Sequence, residues 1–90
     1  MMYATKLKMK SGRMDSDDLL EIDEIYIDQW SCYHTKEYIH DYVEANPKTI
    51  AVDISPYRTL IPEIIFRGEK YVRSNPDSTS QDDLLRLPKE

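Results

Sequence analysis

From Tyr3 to Lys10 the chain alternates, with Tyr3, Thr5, Leu7 and Met9 set against Ala4, Lys6, Lys8 and Lys10. That period of two is a half-buried strand with a wet lysine face. Ser11-Gly12 then turns the chain. Asp15 to Asp28 holds seven acidic residues and no basic one, and passes into Ile22, Ile25 and Ile27, a second strand ending near Trp30. The expected product is an antiparallel pair, basic on one strand and acidic on the other, in which each opposite-charge pair adds at most ~1 kcal/mol. The period then becomes helical. Thr35 is a helix cap, Glu37 suits a first turn, and Tyr38, Ile39, Tyr42 and Val43 recur at helical spacing to Asn46, where Pro47 ends the helix.

Ile50, Val52 and Ile54 alternate with Ala51 and Asp53 and predict a third strand stopping at Ser55-Pro56. Leu60 to Phe66 is apolar and β-rich, but Pro62 lacks an amide hydrogen and belongs at an edge, a strand start or a bulge. Arg67-Gly68-Glu69-Lys70 reads as a turn, and Tyr71 to Ser74 as the returning strand. Asn75-Pro76-Asp77-Ser78 has turn chemistry, and Ser80 with Asp83 approximates a capping box before Leu84 and Leu85. The predicted fold is therefore α+β, one helix packed on a mostly antiparallel sheet in the order β-β-α-β-β-β, with a short C-terminal helical turn. Ninety residues form a single domain over 1–90, since two would each be too small to offset chain entropy.

Composition narrows the class. The chain is 40% hydrophobic and 32% charged, a globular composition, and its seven Tyr outnumber its one Trp and one Phe. Tyrosine buries a ring while its hydroxyl stays wet, so it can widen a thin core or present a contact surface. Cys32 is alone, which excludes an intrachain disulfide, and nothing near Met1 resembles a secretory signal, so a reducing cytoplasm is expected. No apolar run approaches the ~18 residues that span a bilayer. The formal charge of −5 repels nucleic-acid phosphate and argues against DNA or RNA as partner.

The C-terminal end carries a resemblance. Tyr71, Arg73, Pro76, Asp77, Thr79, Asp82, Leu84, Leu85, Leu87 and Pro88 match the closing signature of a small bacterial family, the domain of unknown function 3892. In that signature an aromatic strand runs into Pro-Asp-Gly-Thr and then Asp-Asn-Leu-Leu-x-Leu-Pro. Ser78 stands where glycine is usual, and Asp83 where asparagine is usual. The resemblance implies a fold with strands before and after one helix and a C-terminal structural lock. It carries over no catalytic or ligand residue.

Few residues suggest chemistry. Cys32, His34 and His40 are the soft ligands of the chain, but a closed zinc site takes four ligands, usually in two closely spaced pairs, and no second pair exists. No metal or cofactor is therefore expected. Cys32 and His34 also have the composition of a thiol nucleophile with its base, yet only Gly12 and Gly68 are available to shape an oxyanion-binding turn, and no phosphate-binding or dinucleotide motif is present. Asp15, Asp17 and Asp18 do not open a calcium loop, since Leu20 and Tyr26 fall where glycine and a carboxylate are needed. Glu63 and Asp53 are sent outward by strand alternation. Lys6, Lys8 and Lys10, extended by Arg13, could attract phosphate, but lysines on an edge strand also block edge-to-edge pairing, and that reading is favoured. No catalytic residue is assigned.

The leading expectation is a non-catalytic module that binds another protein or regulates it through Trp30, Tyr33 and Tyr57, because Trp and Tyr are enriched at interface hot spots. A competing expectation is an acidic inhibitor of phage or mobile-element type that mimics phosphate with Asp15, Asp17, Asp18 and Glu21. A third is a small-ligand pocket between helix and sheet.

Overall fold

The computed structural model describes residues 1–75 and 81–90. The predicted turn and cap residues Pro76, Asp77, Ser78, Thr79 and Ser80 lie outside the described residues. The fold is α+β. Strands β1 (Met2–Met9), β2 (Ile22–Ile27) and β3 (Cys32–Thr35) precede helix α1 (Lys36–Ala45), and β4 (Ile50–Val52), β5 (Ile61–Ile64) and β6 (Lys70–Arg73) follow it. Single 3-10 turns sit at Leu19–Glu21, Asp28–Trp30 and Asp83–Arg86.

The strands form a mixed sheet of order β3-β2-β1-β4 and a separate β5-β6 hairpin. β1 and β2 are antiparallel, with Lys8 opposite Glu24, as the charge pattern requires. Two features were not legible. β3 is an additional strand beyond Trp30, where Ser31 in the left-handed region (φ 53°) turns the chain back along β2. β4 runs parallel to β1, because the excursion through β2, β3 and α1 returns the chain in its original direction.

β1 also departs from simple alternation. Ala4 pairs with Ile27 and Lys6 with Tyr26, so Thr5 is an extra residue in a bulge that puts Ala4 on the same buried side as Leu7 and Met9. The sheet order places β1 in the interior. Edge protection by Lys6, Lys8 and Lys10 is thereby overturned: their ammonium groups instead meet Glu90 at 2.9 Å, Glu24 at 3.9 Å and Glu69 at 3.4 Å.

Thr35 caps α1 as predicted, its Oγ1 accepting from the Tyr38 amide at 3.1 Å. The helix buries Ile39 and Val43 in a core shared with Ala4, Leu7, Ile25, Ile27, Ile50, Val52, Leu60 and Val72. Pro62 stands in the two-stranded hairpin opposite Val72, consistent with its missing donor.

The C-terminus closes the structure. Leu84, Leu85 and Leu87 are all buried, and Asp82 caps their turn. The buried Asp82 carboxylate accepts from the amides of Ser74 (3.0 Å), Asn75 (3.0 Å) and Leu84 (3.0 Å) and from the Ser74 hydroxyl. It thus ties the end of β6 to the start of the last turn. Asp83 reaches Arg86 at 3.4 Å. The Leu7 amide donates to the Pro88 carbonyl and the Glu90 amide to the Leu7 carbonyl, both at 2.9 Å. The tail so pairs along β1 beyond the end of β4. Among the described residues, no helix is long and apolar enough to cross a membrane.

Candidate functional site

The most exposed large apolar residue is Phe66, 98% accessible. Its position follows from the turn. The strand predicted to run to Phe66 stops at Ile64, and the turn lies two residues earlier than expected, over Ile65-Phe66-Arg67-Gly68. Gly68 donates to the Ile65 carbonyl at 2.8 Å and Ile65 to the Glu69 carbonyl at 3.1 Å, with Gly68 at φ +89°. This is a three-residue hairpin loop whose third residue is left-handed, the conformation glycine adopts without steric cost. Phe66 is the first loop residue and projects into solvent, with the Arg67 guanidinium 6.0 Å from its ring and Ile64 53% exposed beside it.

Charged groups fix the hairpin to the body behind this tip. The Glu69 carboxylate meets Lys36 at 3.2 Å and Lys10 at 3.4 Å, and Lys36 also meets Glu37 at 2.8 Å. Hydrogen bonding to Lys36 holds Glu69 below the usual carboxylate range. Burial pushes Lys36 down, but its bonds to Glu37 and Glu69 outweigh this and raise it. One residue along, Lys70 donates to Asp41 at 2.9 Å, and the same oxygen lies 2.9 Å from Nδ1 of the buried His40. Lys70 first and His40 second hold Asp41 low. An ionised carboxylate only accepts, so His40 Nδ1 carries the proton. His40, Asp41 and Glu44 bring their ligand atoms within 4.8 Å of one another, but the Lys70 ammonium already supplies a cation at Asp41.

The aromatic residues expected at an interface are dispersed. Trp30 is half-buried on the helix side of the sheet, edge-on to His34 (5.1 Å) and Tyr42 (4.9 Å), with Tyr38 stacked on His34 at 4.5 Å. Tyr33 instead packs against Tyr26 on the other face, its ring 4.4 Å from the Lys8 ammonium. Burial, with Glu90 nearby, raises the Tyr33 hydroxyl above its ordinary pKa. Tyr57 is 53% exposed and edge-on to Tyr3, beyond a cis Ser55–Pro56 bond. Trp30, Tyr33 and Tyr57 thus form no single patch.

Several acidic residues have structural duties. Asp18 Oδ1 accepts from the Leu20 amide at 2.9 Å, Asp17 from Gln81 at 2.8 Å, and Glu21 lies 3.5 Å from Arg13. Asp15 lines an open surface cleft of about 440 Å³ with Arg13, Met14 and Glu21. Cys32 Sγ lies 3.2 Å from His34 Nε2, whereas His40 is engaged with Asp41.

Phe66 was missed because it was read as a strand residue. The signal was present in Gly68, placed where a short hairpin loop needs a left-handed residue.

A family model described as "Protein of unknown function (DUF3892)" matches residues 15–88. The chain belongs to this family. The match covers β2 through the buried leucines, so the DUF3892 region includes both the hairpin tip and the Asp82 lock. No curated protein and no solved structure matches the chain.

Proposed function

We propose that this DUF3892 protein is a non-catalytic protein-binding module, with regulation of its partner as the consequence of binding, and that the β5–β6 hairpin tip makes the primary contact. The observation that carries this reading is Phe66, 98% exposed on a turn braced by Glu69 and Lys70. An exposed aromatic ring on a braced hairpin loses little freedom on docking, so most of its burial is available as affinity. Arg67 beside it favours a socket with an acidic rim.

The phosphate-mimic reading draws less support, since Asp17, Asp18 and Glu21 already serve local turns and pairs. Affinity capture by the full chain, read by mass spectrometry, tests the choice. Phe66→Ser should remove the captured partner, whereas replacing Asp15, Asp17 and Glu21 by their amides should leave it bound and only weakly salt-dependent. Loss of the partner with the acidic variant and steep weakening with salt would reverse the conclusion.

A further inference from the structure

We propose that β3 is half of a zinc site completed by a second copy of the chain, each copy supplying Cys32 and His34. The two edges of the main sheet differ. At the β4 edge, Val52 donates to the Arg58 carbonyl at 3.0 Å and Leu60 to the Ile50 carbonyl at 2.8 Å, so the returning chain covers it. At the β3 edge, no main-chain hydrogen bond of Cys32, Tyr33 or His34 beyond the ladder to β2 occurs among the described residues. β3 has no lysine or proline, the residues that commonly block edge pairing.

Cys32 and His34 are two apart on this open edge and therefore share a face. Their Sγ and Nε2 atoms are 3.2 Å apart, and the imidazole is held between the stacked Tyr38 ring and the edge of Trp30. Tetrahedral zinc, with bonds of ~2.3 Å to sulfur and ~2.0 Å to nitrogen, separates such a pair by ~3.5 Å. Two vertices are thus in place to within a few tenths of an ångström. His40 does not supply a third, because among the described residues its ligand atoms group with those of Asp41 and Glu44 and not with Cys32 and His34.

Antiparallel pairing of β3 with its copy about a two-fold axis at Tyr33 sets Cys32 opposite the second copy's His34, and the reverse. Facing Cβ atoms are then ~4.5–5.5 Å apart, close enough for four side chains to converge on one ion. Two thiolates cancel the charge of the metal, so the interface buries no net charge. Because the ligands must be thiolate and neutral imidazole, assembly weakens as pH falls.

The test is sedimentation of the full chain with a phosphine reductant while zinc chloride is titrated. The expected result is a doubling of mass that saturates at one zinc per two chains, reverses with chelator, and yields a tetrahedral thiolate spectrum with cobalt. Cys32→Ser and His34→Ala, with unchanged circular dichroism, should keep the single-chain mass, while Phe66→Ser should pair as the wild type does. One zinc per chain without change of mass, a dimer that survives chelator, or zinc-driven pairing retained by both ligand variants would overturn the proposal. This inference is independent of the hairpin-tip reading, because Phe66 takes no part in it.

Discussion

Two short apolar runs, Ile64-Ile65-Phe66 and Leu84-Leu85-Arg86-Leu87, meet opposite fates. The leucines are no more than 2% exposed, whereas Ile64 is 53% and Phe66 98% exposed. Hydrophobicity does not distinguish them; backbone context does. The leucines sit on a turn capped by Asp82 and are followed by a tail paired to β1. Phe66 occupies a loop position that points away from the body whatever residue fills it. Burial of the leucine run stabilises the fold, and exposure of the Ile64–Phe66 run leaves binding energy unspent.

The contrast is broken most strongly at the lock. Asp82→Ala strands the buried amides of Ser74, Asn75 and Leu84 and should lower unfolding free energy by ~3–5 kcal/mol in urea titration. Leu85→Ala, which opens a cavity, should cost ~2–4 kcal/mol by the same measurement. A loss below ~0.5 kcal/mol for Leu85→Ala would mean that the tail is not anchored. Thr35→Ala removes the cap of α1 and should cost ~1 kcal/mol.

The seam behind the hairpin sharpens the comparison through pH. Glu37, Asp41 and Glu69 have folded-state pKa values below their ordinary 4.5, 3.8 and 4.5. For depressed carboxylates, the stabilisation is present above the unfolded pKa and lost as pH falls through the folded value. Thermal stability should therefore be flat from neutrality down to about pH 5 and fall below about pH 4.5. Glu69→Gln should flatten part of that decline, while Lys36 and Lys70, whose pKa values are raised above 10.5, should confine alkaline loss to higher pH.

The lock was largely legible in sequence, because clustered leucines after a polar turn have few other uses. The role of Asp82 was not legible, since it reaches back to Ser74 and Asn75 across the turn and no local spacing reveals that reach. The paired lysine and acidic strands were legible from alternation, but interior placement of β1 depended on the distant arrival of β4 and the tail. The separation of Trp30 from Tyr33 followed from β3, whose four residues are too few to establish a period. The hairpin tip was hidden because an apolar β-rich run hides where a strand ends, and only Gly68 marked the turn.

The most direct test of the account measures Phe66→Ser twice, by urea unfolding and by quantitative capture of the bound partner. The expected result is a change in unfolding free energy within ~0.5 kcal/mol, as for an exposed residue, together with loss of the partner. A destabilisation of ~2 kcal/mol or more, or full retention of the partner at unchanged stability, would contradict the claim that this ring serves binding rather than the fold.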